Sequence, residues 1–225
     1  MTTSKIRKMF FIDGFNLYHS IERVIKTDKR FIDCKWLDLE KVCKRYIDVA
    51  HEEFVGIKYF TALSWKSTSL PKQKNYIDAL LAHSSNIEIV YGKFKARTKN
   101  CPLCKQQYIG HEEKLTDVNL AIYLFENALK NTFDEAVIVS ADSDLIPPIT
   151  AIKRLFAEKC IAVLPPYNNS AKDLINNAHR KYKMKADTLL NSQLPQSFSV
   201  FTKPPQWESK NYIFNKTTNK LEYIL

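Results

Sequence analysis

The chain has 225 residues, of which 45% are hydrophobic and 26% charged, and a formal net charge of +10. This length suits one α/β domain with an appendage. The charge is consistent with either a well-solvated basic surface or a polyanionic partner such as nucleic acid. The four glycines are far apart, which argues against the glycine-rich phosphate loops of Rossmann dinucleotide-binding and P-loop proteins.

The hydrophobic pattern predicts strands that alternate with helices. The predicted strands span 9–13, 54–60, 87–91, 136–140 and 160–164. The predicted helices lie at about 15–25, 36–49, 71–82, 116–130, 145–157 and 170–178, with Asp33 as the expected cap of the second. This alternation predicts a three-layer α/β fold whose parallel sheet has about five strands in the order 3-2-1-4-5.

The helix at 116–130 has the clearest apolar periodicity in the chain. Thr116 is its expected N-cap, and Asp117 lies in the first turn, where the helix dipole favours a carboxylate. The residues expected on its buried face are Val118, Ala121, Ile122, Phe125, Ala128 and Leu129.

Residues 93–113 interrupt the alternation and predict a basic loop or a small inserted hairpin. Cys101-Pro-Leu-Cys104 is half of a zinc knuckle, and His111 is a candidate third ligand of a structural zinc ion. The alternative is a turn with two reduced thiols, because a structural zinc site needs four ligands.

We expect the α/β domain, including this insertion, to span residues 1–185. Residues 186–225 are expected to form a linker and tail, with at most one strand near 212–214. The apolar run at 9–12 is too short for a signal sequence or a membrane span, so we expect a cytoplasmic protein without a membrane partner.

Acidic side chains follow two of the predicted strands. Asp13 ends the first strand, and Asp142 and Asp144 come directly after the fourth. Strands one and four are neighbours in the predicted order, so these carboxylates and Asp117 are expected to meet at one edge of the sheet. Each aspartate alone is explained as a turn or cap residue. Together they predict a Mg²⁺ or Mn²⁺ site, because clustered carboxylates repel and hard oxygen ligands select such ions.

Polar and basic side chains beside these carboxylates complete the candidate site. Asn16 is expected to hold the scissile phosphate or a metal-bound water, and Ser140 to hydrogen-bond a carboxylate. Lys114 is expected to contact phosphate, while Lys95 and Arg97 of the insertion would bind an RNA backbone. Such a site suits phosphodiester hydrolysis, in which the ion activates water and stabilises the leaving oxygen.

Three segments together resemble the NYN domain family of PIN-like nucleases. They are FFIDGFNLYHSI at 10–21, KLTDVNLAIYLF at 114–125 and VIVSADSDLIPPI at 137–149, and the resemblance covers about residues 8–180. It implies a PIN-like Rossmannoid fold and Mg²⁺- or Mn²⁺-dependent cleavage of RNA. The positions that match its metal site are Asp13, Asp117, Asp142 and Asp144, with Asn16 and Ser140 as matching polar positions.

Two other functions stay open. The first is a non-catalytic RNA-binding or regulatory adaptor that retains the fold. The second, a phosphatase or nucleotidase, is less consistent with the sequence. Phe15 stands where the halo-acid-dehalogenase pattern has its second aspartate. The expected partner is RNA. A homodimer with a second copy of the chain is the alternative to a monomer.

Overall fold

The structure is a computed structural model that describes residues 4–215, 218 and 220–224. The strands within these residues are β1 (Ile6–Asp13), β2 (Glu52–Thr61), β3 (Ile87–Tyr91), β4 (Lys93–Asn100), β5 (Gln107–Lys114), β6 (Glu135–Val139), β7 (Cys160–Val163), β8 (Arg180–Lys181), β9 (Ser197–Phe198), β10 (Phe201–Thr202), β11 (Tyr212–Asn215) and β12 (Lys220–Tyr223). The α-helices are α1 (Gly14–Ile25), α2 (Leu39–Lys44), α3 (Leu70–His83), α4 (Thr116–Leu129), α5 (Ile146–Leu155), α6 (Lys172–Asn177) and α7 (Ala186–Leu190). Short 3₁₀ helices lie at Lys29–Trp36, Ser143–Leu145, Pro205–Trp207 and Ser209–Asn211.

The central sheet has six parallel strands in the order β3-β2-β1-β6-β7-β8. Its first five strands confirm the predicted order and the α/β class. The additional strand β8 has only two residues, both exposed, and pairs with Ala162 and Val163 of β7. So short and polar a strand has no hydrophobic pattern to predict it.

Side chains of β1 alternate between two hydrophobic layers, which makes the fold three-layered. Phe10 and Ile12 pack with α1, α2 and α3 on one face of the sheet. Met9 and Phe11 pack with α4, α5 and α6 on the other. This alternation is the period-two geometry of a strand buried on both faces.

The predicted helix at 36–49 is wrong in its extent. A 3₁₀ helix ends at Trp36, and α2 then spans only Leu39–Lys44. Its N-cap is Asp38, whose side chain accepts a hydrogen bond from the Lys41 amide at 2.9 Å. Asp33, the expected cap, instead forms an ion pair with Lys203, because the C-terminal segment packs beside it.

The expected cap of α4 is also wrong. Leu115 occupies the N-cap position with a φ of 82°, and Thr116 is the first helical residue. The side chain of Glu113 accepts the Thr116 amide hydrogen at 3.1 Å and also bonds its hydroxyl. The end of β5 therefore caps α4 through a carboxylate.

The buried face of α4 differs from the predicted one. Leu120 and Leu124 are fully buried against the sheet, whereas Val118, Ile122 and Leu129 are 56%, 56% and 69% exposed. The helix is apolar around most of its circumference, so periodicity alone does not select the face that the sheet covers. Asp117 shares the buried face, because residues three and seven positions apart lie on one side of a helix.

The insertion forms an antiparallel hairpin of β4 and β5, which confirms the hairpin alternative. The region after residue 185 is folded onto the core. Trp207 packs on Trp36 with ring centroids 6.3 Å apart, and the Trp36 indole donates a hydrogen bond to the Pro195 carbonyl at 2.9 Å. The terminal strand is present as β11 and pairs with β12. The boundary at residue 185 stays a prediction, but these contacts show that the segment beyond it is not an extended linker.

Within the described part of the chain, no helix is both long enough and apolar enough to span a lipid bilayer.

Candidate active site

Asp13 is the buried acid at the centre of the candidate site, with 2% of its surface exposed. It ends β1 and caps α1: its Oδ1 accepts the Asn16 amide at 3.0 Å, and its Oδ2 accepts Asn16 Nδ2 at 2.9 Å. Ser140 Oγ donates a third hydrogen bond at 2.9 Å. Burial raises the pKa of Asp13, and the charge of Asp142 raises it further, while these donors act in the opposite direction.

Glycine is required at position 14, because α1 starts in close contact with β2. A Cβ atom there would lie 2.6 Å from the Phe60 carbonyl oxygen and 2.9 Å from the Tyr59 ring. This close approach places the Asp13 carboxylate at the carboxyl end of the sheet, between neighbouring strand ends.

The loop after β6 is tied to Asp13 through two polar side chains. Asn16 Oδ1 accepts the Ala141 amide at 3.3 Å, and Ser140 Oγ accepts the Asp142 amide at 3.1 Å. The Asp142 carboxylate in turn accepts the Asp144 amide at 2.9 Å. Asp142 is partly buried and Asp144 is exposed, so the two acids form the solvent-facing rim beside Asp13.

Asp117 enters the site from α4. Its pKa is raised to about 6, first by burial and then by the charges of Asp13, Asp142, Glu113 and Asp144. Acids from three separate chain segments therefore lie close enough to disfavour the ionisation of Asp117.

The carboxylates of this site suit a hard divalent cation, since every candidate ligand is an oxygen atom. Within the described residues, no three histidine, cysteine, aspartate or glutamate side chains already surround one point as ligands of an ion. Mg²⁺ is commonly held by one or two carboxylates together with water and substrate phosphate, so a protein cage of three or more ligands is not required.

The predicted cationic residues lie along the hairpin. Lys114 ends β5 and forms an ion pair with Glu112 at 3.3 Å. The Arg97 guanidinium lies 3.8 Å from the Glu112 carboxylate. Lys95 is the cross-strand partner of Glu112. Lys95, Arg97 and Lys114 are all exposed, so their charges face solvent on one hairpin.

The structure does not bring the three candidate zinc ligands together. Cys101 and Cys104 lie in the turn at the hairpin tip. His111 is four residues from Gln107, the first residue of β5, which is about 13 Å along a strand. Its ring stacks on Trp65 with centroids 3.8 Å apart and an interplanar angle of 7°.

Two contributions to the site were not predicted from the sequence. Glu113 adds a carboxylate beside Asp117. The capping box does not identify it, because that motif has its acid three residues after the capping residue and Glu113 precedes Thr116. Phe15 packs edge-on against Phe94 at 5.7 Å, which fixes the hairpin beside Asp13. No sequence pattern predicts that contact, because the two rings come from segments far apart in the chain.

Comparison with known proteins agrees with this architecture. The chain is 28% identical over 248 aligned positions to a 6-hydroxy-3-succinoylpyridine 3-monooxygenase of Pseudomonas putida, with 92% of this chain and 77% of that protein covered. Its fold is similar to the crystal structure of a protein of unknown function from Vibrio parahaemolyticus, with a TM-score of 0.57 and 16% identity. That match covers 83% of this chain and 98% of the other.

The NYN domain model matches residues 7–185, which include all three segments that carry the resemblance. The chain therefore belongs to the NYN domain family, within the PIN-like nuclease superfamily.

Proposed function

We propose that this protein is a divalent-cation-dependent ribonuclease that hydrolyses RNA phosphodiester bonds at the carboxyl ends of β1 and β6. The observation that carries the proposal is the position of Asp117, whose pKa near 6 reflects burial beside Asp13 and Asp142. Uncompensated carboxylates in this arrangement destabilise the fold, and a cation that binds them would offset their repulsion. The net charge of +10 suits a polyanionic substrate.

In this proposal Asp13, Asp117 and Asp142 hold the Mg²⁺ or Mn²⁺ ion, with Asp144 at the rim. The bound ion would supply an activated water and stabilise negative charge at the phosphate. Asn16 acts as a positioning residue, since its amide group already bonds both Asp13 and the Ala141 amide.

The hairpin would form the substrate-binding wall. Lys114 lies three residues before Asp117, and Lys95 and Arg97 are exposed farther along the same hairpin. Their cations would contact successive phosphates and release counterions on binding. RNA affinity is therefore expected to fall steeply as salt concentration rises.

The test is cleavage of end-labelled single-stranded and structured RNA with Mg²⁺, with Mn²⁺ and with EDTA. We expect metal-dependent products that fall at least about 100-fold in Asp13→Asn and Asp142→Asn, the range typical for loss of a catalytic electrostatic group. Asp173→Asn is the matched control, because it removes an exposed carboxylate from α6. Cleavage that survives both site variants would contradict the proposal. Salt-sensitive RNA binding in all variants without products would identify the adaptor instead.

The curated relative suggests a different activity, oxygen-dependent hydroxylation of a substituted pyridine. The test is oxygen uptake by this protein with 6-hydroxy-3-succinoylpyridine and a supplied two-electron donor such as NADH. Substrate-dependent uptake that persists in both Asp13→Asn and Asp142→Asn would favour that activity over the nuclease. We expect no uptake, because the proposed site is built from carboxylates suited to phosphate chemistry.

A further inference from the structure

We propose that Cys101 and Cys104 form half of a zinc site, which the same two cysteines of a second copy of the chain complete. Zinc would then join two molecules through the tips of their β4–β5 hairpins. The proposal does not depend on the ribonuclease function, because the tip lies at the far end of the hairpin from Asp117.

The tip has the backbone of a two-cysteine chelating turn. The Cys101 amide donates to the Gln106 carbonyl at 2.8 Å, and the Lys105 amide donates to the Cys101 carbonyl at 2.9 Å. Lys105 follows the second cysteine with a φ of 60°, a left-handed conformation that reverses the chain. Cysteines separated by two residues are the usual ligand pair of structural zinc sites.

The pair is accessible from outside the molecule. Cys104 is exposed, and Leu103 between the two cysteines is 92% exposed. On the adjoining strand, Tyr108 and Ile109 are 52% and 68% exposed. An exposed apolar surface beside two ligands can be buried when two tips meet.

The other two ligands have no source in the same molecule within the described residues. Cys34 and Cys43 are buried in the core, and Cys160 starts β7 in the central sheet. His111 is held away from the tip by its stacking on Trp65. Among all the residues that the structure describes, no three histidine, cysteine, aspartate or glutamate side chains are grouped so that they could hold a metal ion.

A second copy supplies the missing ligands by symmetry. A two-fold axis through the ion places two identical cysteine pairs around it, and four thiolates in a tetrahedron are a standard structural zinc site. Zinc with four thiolates carries a net negative charge. Lys105, which follows Cys104 directly, would offset that charge from each copy.

The experiment titrates the full chain with zinc under reducing conditions, and native mass spectrometry and light scattering measure the metal content and the oligomeric state. We expect a dimer with one zinc ion per two chains, which EDTA returns to monomer. Cobalt substituted for zinc should give the absorption intensity of four thiolate ligands. Each of Cys101→Ser and Cys104→Ser should abolish metal binding and dimerisation together, whereas Cys160→Ser should change neither.

Three results would overturn the proposal: no zinc binding, one zinc ion per monomer, or a dimer that persists in EDTA or in Cys104→Ser. Circular dichroism of the serine variants shows whether they remain folded, and the cobalt spectrum of the wild-type chain tests the ligand number without any substitution. RNA cleavage by the monomeric variants separates this proposal from the ribonuclease function, since either can fail alone.

Discussion

The hydroxyl of Ser140 donates a hydrogen bond to Asp13 Oδ2 at 2.9 Å, which joins the end of β6 to the end of β1. Ser140 Oγ also accepts the Asp142 amide at 3.1 Å, so one buried serine positions the acid that ends β1 and an acid in the loop after β6. This confirms the expectation that Ser140 bonds a carboxylate. The bond crosses the junction where the sheet order reverses, the usual ligand-binding position in open α/β folds.

We predict that Ser140→Ala lowers the rate of RNA cleavage by about tenfold and the free energy of unfolding by about 1 kcal/mol. The loss follows because Asp13 keeps only its bonds from Asn16 and the loop that carries Asp142 is released. Ser192→Ala is the matched control, since Ser192 is fully buried and its hydroxyl has no hydrogen-bond partner. Urea unfolding and initial cleavage rates measure the two effects. Equal losses in both variants would refute a specific role for Ser140.

We predict that Asp117→Asn stabilises the protein without metal at pH 7.5 by about 1–2 kcal/mol, allowing for solvent screening. The pKa of Asp117 is raised from 3.8 to about 6 in the folded state. The unfolded chain therefore loses this proton first, and stability falls as the pH rises from about 4 to about 6. Above that range the full penalty remains, so the gain in the variant should vanish near pH 4. Thermal unfolding across pH measures it.

Divalent cation should make the wild type more stable than Asp117→Asn. Mg²⁺ or Mn²⁺ binds the ionised acids of the folded state and raises the unfolding temperature of the wild type. The increase should be smaller in Asp117→Asn, because one proposed ligand has lost its charge. An equal shift in both proteins would place the ion elsewhere.

We predict that Glu113→Gln shifts the acid limb of the pH–rate profile toward lower pH. The charge of Glu113 helps to raise the pKa of Asp117, and the amide removes that charge while its oxygen still accepts the Thr116 amide. Glu113→Ala removes both the charge and the cap, and should also cost about 1 kcal/mol of stability. A profile that does not move in Glu113→Gln would show that Asp117 does not limit the rate.

We predict that Lys8→Met lowers the free energy of unfolding by about 3 kcal/mol, because Glu52 loses its cation and Glu135 keeps only Arg180. Lys8 is 1% exposed and pairs with Glu52 at 2.7 Å and Glu135 at 3.4 Å. Lys58→Met is the control: its partner Glu88 is largely exposed, so its loss should cost less than about 1 kcal/mol.

A double variant tests whether the Lys8 effect comes from this pairing. Lys8→Met combined with Glu52→Gln should be less destabilised than the sum of the single variants, because the second change removes one unpaired charge. Urea unfolding measures the coupling. Strict additivity would mean that the two residues do not interact.

The sequence predicted that helix α4 exists but did not predict which of its faces packs on the sheet. Its existence and the place of Asp117 in its first turn follow from the local pattern at 116–130. Its orientation does not, because Val118 and Ile122 are as apolar as the buried Leu120 and Leu124. The sheet selects the face, and Asp117 is directed into the site by that packing.

Sequence alone determined the positions of the five main strands, the acids at their ends and the interruption at 93–113, because these follow from local hydrophobic periodicity and composition. The strand order followed from the doubly wound topology that alternating strands and helices favour. Only the tertiary structure decided that Ser140 and Asn16 connect two strand ends, that Glu113 lies beside Asp117, and that His111 is separated from the hairpin tip. The physical reason is that such contacts join side chains from different segments. Their energies depend on distance and burial, which a residue's sequence neighbours do not specify.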